Sequence, residues 1–392
     1  MKKIIICTHG FSRDVYKVGS HHYAYQLSKL GYDVLVISTP ISPFHLINLI
    51  KGAFRKRFLL KLKSCFDGVS KTEYQYREYI PFTFLPFSRG KLFNQKFLLQ
   101  KQNKFIPFIS TTLKRYGFNN IDFLIVENPV FSFMTEIIEF KKLYYRATDI
   151  YPEFTSSKTS STEKQLVREA NSVIVTSSAL RKHLSKYRNG LSNIEVIENG
   201  VDSEFYLSSS KLELNNKELG NKLKEEKIQV VYVGALDDRI DFEIIKNISE
   251  VHRDHNFHFF GTVANSEFYS AIKGKANCLY WGPIDYKFLP QILKQCHVGL
   301  LPFIKNDIND SRSPMKLYEY GICGLTVLAT RTADLEKKNE DFVILCSKDE
   351  FSNALTNRSL LKRPNSITAI HRSKLHSWEN NTRTLIKIMD YA

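Results

Sequence analysis

Residues 311–330 read SRSPMKLYEYGICGLTVLAT, and this stretch carries the local pattern that decides the fold of the chain. Ser313 is a favourable helix N-cap and Pro314 suits the first helical turn, so a helix is expected to begin here. Gly324 follows the helix, and the run Thr326–Ala329 predicts a strand. Another strand ends just before, at Pro302. The stretch therefore predicts a strand, loop, helix and strand in the order of an α/β fold.

The same alternation runs along the whole chain and restarts once. The continuous apolar run Lys3–Thr8 precedes helical spacing over Gly19–Leu30 and a second run at Asp33–Ser38. Continuous apolar runs indicate strands buried on both faces, as in a parallel sheet. Further strands are expected at Phe123–Glu127, Leu143–Ala147, Ser172–Thr176, Ile194–Ile197, Gln229–Val233, His258–Phe260, Cys278–Trp281, Val298–Leu301 and Phe342–Cys346.

We therefore predict an α/β protein with two Rossmann-like, doubly wound domains facing a cleft. The length of 392 residues suits two domains. Residues 1–205 form the first, 206–226 a connector and 227–375 the second, and residues 376–392 form a helix that crosses back to the first domain. Ligands of such sheets bind beyond the carboxyl ends of the strands.

Composition limits the partners of the chain. The formal net charge of +16 favours polyanions, whether nucleic acid, nucleotide phosphates or an acidic membrane face. No zinc-finger, RNA-binding or basic-zipper pattern accompanies the charge, so nucleic acid is not expected. The six cysteines form no CxxC pair and read as buried, reduced thiols. No apolar run is long enough for a signal peptide or a membrane span, which predicts a cytoplasmic protein.

The helix start contains a lysine in an unusual place. Lys316 lies in the first turn, where a cation opposes the helix dipole, unless the site binds an anion such as phosphate. Glu319 follows three residues later on the same side of the helix. An ordinary surface pair between Lys316 and Glu319 is the alternative reading.

This segment resembles the donor-site signature of GT-B-fold glycosyltransferases, which has Ser-Pro-x-Lys-x-x-Glu-Tyr followed by Gly and Val-x-Ala-Thr. The motifs Val231-Tyr-Val-Gly-Ala-Leu and Gly282-Pro-Ile extend the resemblance over most of the chain. It implies that Lys316 holds the diphosphate of a nucleotide sugar and Glu319 the ribose hydroxyls. It assigns the rest of the donor site to Ser313, Pro314, Met315, Gly234 and Arg239, with a solvated surface arginine as the alternative for the last of these.

One departure from that family bears on the mechanism. Many retaining members carry a second glutamate eight residues before the position of Glu319, where this chain has Ser311. The missing carboxylate favours an inverting transfer, which needs a single general base. The segment Tyr145-Arg-Ala-Thr-Asp149-Ile-Tyr-Pro resembles the base-bearing segment of the xanthan-type glucuronosyltransferases, so Asp149 is the predicted base. A helix-capping or loop aspartate is the alternative, and Glu153 and Glu127 are the other candidates for the base.

Three residues near the N-terminus are predicted to lie on the acceptor or sugar side. Gly10 permits a tight turn after the first strand, and His21 and His22 stand at a helix start, where surface histidines are the alternative. Asp307-Ile-Asn-Asp310 has only a superficial likeness to acidic metal motifs. GT-B enzymes manage the leaving diphosphate with a helix N-terminus and basic residues, so no metal and no cofactor is expected.

A basic segment predicts a membrane partner. Residues 45–63 hold six Lys or Arg, no acid and interspersed apolar residues, and residues 77–104 add cations and aromatics. Such a helix can lie on an anionic membrane surface, or it can pack its apolar side on its own domain. The expectation is peripheral association with the cytoplasmic membrane, where a lipid-linked saccharide would be the acceptor.

Together these features predict a transferase of surface polysaccharide biosynthesis that uses a UDP-sugar donor and inverts the anomeric configuration with Asp149 as base. Two alternatives stay open. One is a retaining GT-B transferase with another acceptor, and the other is a non-catalytic nucleotide-sugar-binding assembly partner.

Overall fold

A computed structural model describes residues 1–13, 17–49, 52–84, 106, 108–150, 157–188, 193–208, 216–357 and 366–391 of the chain. The chain divides into two compact units: unit 1 is Met1–Ile197 with Thr382–Ala392, and unit 2 is Glu198–Asn381. None of the described helices is long and apolar enough to span a membrane.

Unit 1 is an α/β layer structure. Its described residues form an eight-stranded sheet in the order β3-β4-β2-β1-β5-β6-β7-β8, parallel except where β3 pairs with β4. The strands are β1 Lys3–Thr8, β2 Asp33–Ser38, β3 Ser70–Lys71, β4 Arg77–Tyr79, β5 Asn120–Val126, β6 Glu139–Ala147, β7 Ser172–Val175 and β8 Ile194–Val196. The helices are α1 Gly19–Lys29, α2 Gly52–Asp67, α3 Ile109–Arg115, α4 Ser157–Glu169 and α5 Ser178–Ser185, with 3-10 segments at Pro43–Leu49 and Pro129–Glu136.

Unit 2 repeats the plan with a six-stranded parallel sheet among its described residues, in the order β11-β10-β9-β12-β13-β14. Its strands are β9 Gln229–Val233, β10 Asn256–Phe260, β11 Cys278–Gly282, β12 Val298–Leu301, β13 Thr326–Thr330 and β14 Val343–Cys346. Its helices are α6 Ser203–Ser208, α7 Lys217–Leu223, α8 Phe242–Val251, α9 Glu267–Ile272, α10 Leu289–Leu293, α11 Asp307–Asp310, α12 Met315–Ile322, α13 Ala333–Lys338, α14 Glu350–Thr356 and α15 Ser366–Leu375, and Tyr286–Phe288 is a 3-10 turn.

Strand β9 shows why the apolar runs are continuous. Val231 and Val233 pack into one buried cluster, and Val230 and Tyr232 pack into another. Since successive side chains of a strand point to opposite faces, both faces of this sheet are covered. Strand β1 lies between β2 and β5, and strand β9 lies between β10 and β12, so the order of the strands reverses direction at β1 and at β9. In α/β sheets, ligands bind at the carboxyl ends of the strands where the order reverses.

The segment 206–226, predicted as a connector between domains, belongs instead to unit 2. The side chains of Tyr206, Leu219 and Leu223 are buried in the core of that unit. Polar, charged composition suggested a surface linker, but these three apolar side chains anchor its described parts, residues 206–208 and 216–226.

The final helix, α16 (Trp378–Tyr391), begins in unit 2, and its residues from Thr382 onward group with unit 1. Within unit 1, the carbonyl of Met389 accepts hydrogen bonds from Tyr144 Oη and Lys142 Nζ, both at 3.1 Å. Lys2 Nζ also pairs with Asp390 at 3.0 Å. The helix is therefore fixed to β6 and to the N-terminus.

Candidate functional site

The segment predicted to bind the donor folds as a strand end, a loop and a helix, but the helix begins later than the sequence suggested. Helix α12 starts at Met315, with Pro314 at the N-cap position and no side-chain capping bond. The prediction of Ser313 as N-cap is therefore wrong. Ser313 is buried and accepts two hydrogen bonds from Asn199, from the backbone N–H to Oγ at 3.3 Å and from Nδ2 to the carbonyl at 2.8 Å. Ser313 is thus bonded to a residue distant in sequence instead of capping the helix.

Lys316 and Glu319 form an ion pair at 2.5 Å on the first turns of α12. The lysine side chain is 20% exposed and the carboxylate 2% exposed, so this is not an ordinary surface pair. Burial, and then the charge of Glu319, raises the pKa values of the neighbouring Tyr206 and Tyr286 phenols. The arrangement offers a partly exposed ammonium at a helix N-terminus above a carboxylate that is held in place.

Gly234 directly follows strand β9. A Cβ added there would lie 2.9 Å from Tyr232 Oη, whose hydroxyl donates to the Ala235 carbonyl at 2.8 Å. The strand end is also bonded to helix α12, because the N–H of Val233 donates to Tyr320 Oη at 2.9 Å. The glycine loop and helix α12 are therefore held in one frame within unit 2.

The side chain of Arg239 is engaged locally. Its Nε and Nη2 atoms each donate to the Asp237 carboxylate at 2.7 Å, and the side chain is 37% exposed. Its carbonyl accepts from Ile304 N at 2.9 Å and Asn309 Nδ2 at 3.1 Å. A phosphate role for Arg239 would require it to share or leave Asp237, and that role stays a prediction.

Ser311 occupies the position where retaining relatives carry a glutamate. It is 1% exposed, and its hydroxyl donates to the Ile308 carbonyl at 2.7 Å. The side chain therefore completes the last turn of helix α11. Its burial leaves little room for a longer carboxylate in this backbone position.

In unit 1, Asp149 lies two residues beyond the carboxyl end of the parallel strand β6 and is partly buried. Thr148 Oγ1 lies 3.5 Å from one of its carboxylate oxygens. The alternative base Glu153 lies outside the described residues. Asp149 thus occupies the edge of the sheet at which α/β folds place functional groups.

Glu127, the other alternative, is taken by a buried ion pair. Its carboxylate accepts from Arg146 at 2.8 Å, with side-chain exposures of 4% and 2%. The guanidinium carbon lies 4.8 Å from the ring centre of Tyr23 on helix α1. The pair joins the ends of β5 and β6 to α1, which makes Glu127 a framework residue at this edge.

The histidines at the start of α1 are buried, at 4% exposure for His21 and 5% for His22, so the alternative of surface histidines is wrong. Among the described residues, neither ring nitrogen of His21 has a hydrogen-bond partner. Burial, with smaller effects of His9 and Lys17, lowers the pKa of His21 to about 3, so the imidazole is neutral. Gly10 lies against this ring, because a Cβ there would be 2.9 Å from His21 Cε1.

Sequence reasoning missed a buried carboxylate on the short strand β4. Glu78 is 4% exposed and accepts from Ser12 N at 2.9 Å, from Ser12 Oγ at 2.5 Å and from Ser38 Oγ at 3.1 Å. Burial raises its pKa. These bonds fix the loop after β1 against the end of β2. An acid flanked by Tyr76, Tyr79 and Ile80 in a short strand-like stretch was the signal that could have indicated it.

The basic helix α2 packs on its own unit, which is one of the two alternatives that the sequence left open, and its membrane role stays a prediction. Its buried Phe58 packs with Phe11, Ile41 and Ile80, so one side lies on unit 1. A different side of the helix exposes a stripe of two cations and two apolar side chains, with Leu59 at 45% and Phe66 at 82% exposure; the stripe is Arg55, Leu59, Lys63 and Phe66. Residues 85–104 of the second basic segment lie outside the described residues.

Within the described part of the chain, His252, Asp254 and His255 are the residues that lie together with metal-ligand chemistry. They precede β10, at the edge of the sheet away from the strand ends that carry Gly234. His252 Nε2 lies 3.0 Å from the Ser352 carbonyl, and His255 Nδ1 lies 2.9 Å from Asp254 Oδ1. The absence of a catalytic metal stays a prediction.

Comparisons with known proteins bear on this geometry. No protein-family model matches the chain. The sucrose-phosphate synthase of Thermosynechococcus elongatus superposes with a TM-score of 0.72 at 14% identity, covering 100% of this chain and 98% of that one. Anabaena HepE, in complex with UDP and glucose, superposes with a TM-score of 0.68 at 12% identity over 100% of both chains. The chain has the GT-B fold.

A sequence relative agrees with this assignment. A Bacillus subtilis protein named as a teichuronic acid biosynthesis glycosyltransferase, TuaH, is 23% identical over 229 residues. The match spans 55% of this chain and 57% of the relative's length. The predicted fold class and the resemblance to GT-B glycosyltransferases are both confirmed.

Proposed function

We propose that this chain is a glycosyltransferase that takes a sugar from a nucleoside diphosphate donor, with UDP as the nucleotide. The observation that carries the proposal is the Lys316–Glu319 pair at the start of α12, beside the glycine loop after β9. A cation in a first helical turn is unfavourable by itself and becomes favourable when an anion binds there. A buried carboxylate three residues on supplies an acceptor for a sugar diol.

The donor site divides its work among a few groups. The ammonium of Lys316 and the N–H groups of the first turn of α12 bind the diphosphate and stabilise its charge as it leaves. Glu319 accepts hydrogen bonds from the ribose hydroxyls when Lys316 moves from the carboxylate to the phosphate. Gly234 leaves space for the nucleotide, and the partly buried Met315 packs on it.

For the transfer itself we assign the base to Asp149. The acceptor oxygen forms a bond to the anomeric carbon while the bond from that carbon to the diphosphate oxygen breaks. The electron pair of the broken bond leaves with UDP, and the hydroxyl proton of the acceptor goes to the Asp149 carboxylate. Attack on the face opposite the leaving group inverts the anomeric configuration. The serine at position 311, in place of a second donor-side carboxylate, favours this route.

The acceptor we propose is a saccharide on a lipid carrier in surface polysaccharide assembly, consistent with the name of TuaH. The stripe Arg55, Leu59, Lys63 and Phe66 supports it, because cations beside exposed apolar side chains suit an anionic membrane surface. No acid stands between residues 45 and 63 to weaken that attraction.

Donor binding is tested by titrating UDP calorimetrically into Lys316→Ala. We expect affinity to fall by about 30-fold, since a hydrogen bond to a charged group contributes about 1.5–3 kcal/mol. Lys246→Ala is the control, because Lys246 is an exposed lysine of unit 2 whose ammonium lies 3.9 Å from Glu243. Equal affinity of the Lys316 variant and the parent protein would remove the donor site from this helix.

The stereochemistry is tested by NMR of the product from a panel of UDP-sugars and saccharide acceptors. Inversion supports Asp149 as base, and retention would show the alternative transferase. UDP binding without turnover across the panel would favour a non-catalytic partner.

Membrane association is tested by sedimentation with vesicles of phosphatidylglycerol or of phosphatidylcholine. We expect binding to the anionic vesicles and its loss in the double variant Leu59→Glu, Phe66→Glu. Ile367→Glu is the matched control, since Ile367 is an apolar side chain of unit 2 that is 77% exposed. Binding that survives in the double variant would contradict a membrane role for the stripe.

A further inference from the structure

The chain enters unit 2 through a short segment, Glu198–Val201, that we call the junction segment. We propose that Asn199 and Glu198 are positioning residues for the donor site, holding helix α12 so that Lys316 meets the diphosphate. This inference rests on the proposed function and adds residues that do not themselves touch the donor.

Asn199 fixes the start of the helix. Through its backbone N–H and its side-chain amide it holds both polar groups of Ser313, two residues before the first helical residue. Helix α12 has no capping side chain of its own, and Pro314 at the N-cap position has no N–H to donate. The orientation of the helix start therefore depends on Asn199.

Glu198 fixes the next turn of the same helix. Its carboxylate accepts from Tyr318 Oη at 2.7 Å and pairs with Lys338 Nζ at 2.5 Å. The Tyr318 ring is fully buried and stacks on His376 at 4.2 Å between ring centres. Because residues two apart on a helix face roughly opposite sides, Glu198 holds the side away from Lys316.

The junction segment is itself held firmly. Asn381 Nδ2 donates to the Glu198 carbonyl at 2.8 Å, and the N–H of Val201 donates to the His376 carbonyl at 3.0 Å. Gly200 approaches that carbonyl so closely that a Cβ would lie 2.5 Å from its oxygen. Because the junction segment is held at these points, its bonds to Ser313 and Tyr318 can fix the position of helix α12.

A binding site loses affinity when its groups are displaced, even by changes that leave the groups themselves intact. Misplacing a group by about 1 Å can also slow a reaction by up to about 100-fold. We expect Asn199→Ala, which removes the bond to the Ser313 carbonyl, to weaken UDP binding by up to about tenfold, the order of one lost hydrogen bond. Asn199→Asp should be at least as damaging, because a carboxylate oxygen would face the carbonyl oxygen.

The experiment measures UDP affinity calorimetrically and donor KM and kcat for Asn199→Ala, Lys316→Ala and the double variant. Asn277→Ala is the control for general destabilisation, since Asn277 is also a buried amide of unit 2, with bonds to the Ser249 and His252 carbonyls at 3.1 and 3.0 Å. We expect Asn199→Ala to raise the donor KM and, because Lys316 also stabilises the leaving diphosphate, to lower kcat, and both effects to be largely absent when Lys316 is already alanine.

Each other outcome is decisive. Additive effects of the two substitutions, an unchanged affinity in Asn199→Ala, or an equal loss in Asn277→Ala would overturn the positioning role while leaving the proposed function intact. An unchanged affinity in Lys316→Ala would overturn the donor site, and the positioning role with it.

Discussion

The carboxyl edges of the two sheets place their polar groups in different ways. In unit 2 the notable pair, Lys316 and Glu319, comes from adjacent turns of one helix. In unit 1 the charged groups come from distant parts of the chain, with Glu127 after β5 bonded to Arg146 on β6. A helix brings residues together by its own geometry, whereas a parallel sheet does so only after folding.

The difference also shows in what each edge leaves available. The ammonium of Lys316 is partly exposed and can exchange Glu319 for a ligand. At the edge of unit 1, Glu127 and Glu78 are buried and occupied by framework partners. Asp149 is only partly buried there, which suits it to a reacting role better than the two buried carboxylates.

The largest effect is expected from Asp149→Asn, which keeps the shape of the side chain and removes the proposed base. Turnover should fall by about 10²–10⁴-fold, the usual contribution of general base catalysis. UDP affinity should remain, since the donor residues belong to unit 2. A radiolabelled-donor assay measures the first and calorimetry the second. Turnover close to that of the parent protein would exclude Asp149 as the base.

The next largest effect concerns the stability of unit 1. Glu127→Leu leaves the Arg146 guanidinium buried without its carboxylate and should cost about 3–5 kcal/mol in the free energy of unfolding. The pair variant Glu127→Leu, Arg146→Met should recover much of the loss. Lys141→Ala is the control, because Lys141 is 72% exposed in its pair with Asp122 and should matter by less than about 1 kcal/mol. Urea unfolding followed by tyrosine fluorescence measures all three.

Replacing Gly10 or Gly234 by alanine tests how tightly the chain packs after β1 in unit 1 and after β9 in unit 2. A Cβ at Gly10 would lie 2.5 Å from Val18 Cγ2 and 2.9 Å from His21 Cε1, so alanine should destabilise unit 1 by about 1–3 kcal/mol. A Cβ at Gly234 would meet only the far end of the Tyr232 side chain among its nearest contacts. The φ of Gly234 is +158°, which an L residue rarely adopts, so alanine should be strained there as well, and we expect a loss of both thermal stability and UDP affinity. An unchanged UDP affinity in Gly234→Ala would contradict a donor role for this glycine.

The smallest effect is a pH dependence in unit 1. Glu163 is 2% exposed, and burial raises its pKa to about 7 although Tyr145 Oη donates to it at 2.6 Å. A carboxyl whose pKa is raised on folding stabilises the protein below its unfolded pKa, and this contribution is lost as the pH rises through the folded pKa. Between pH 6 and 7.5 the free energy of unfolding should fall by about 1 kcal/mol.

Glu163→Gln should flatten that dependence, since the amide does not titrate. The measurement is the melting temperature of both proteins at pH 6 and 7.5. The same slope in both would show that Glu163 does not carry the effect.

The sequence by itself determined the local features. Continuous apolar runs that end at glycine or proline predicted parallel strands, because burial on both faces needs unbroken apolar residues. Lys316 and Glu319 were predicted as neighbours because three residues along a helix place two side chains on one side. The fold class followed from the order of these elements.

Tertiary structure decided what depends on distant partners. Ser313 is bonded by Asn199, 114 residues away, and so does not cap its helix. His21 and His22 are buried rather than on the surface, and Tyr206, Leu219 and Leu223 of the predicted connector pack into the core of unit 2. Glu127 became a framework residue because β6 brought Arg146 beside it. These outcomes depend on contacts between remote segments, whose partners local patterns do not specify.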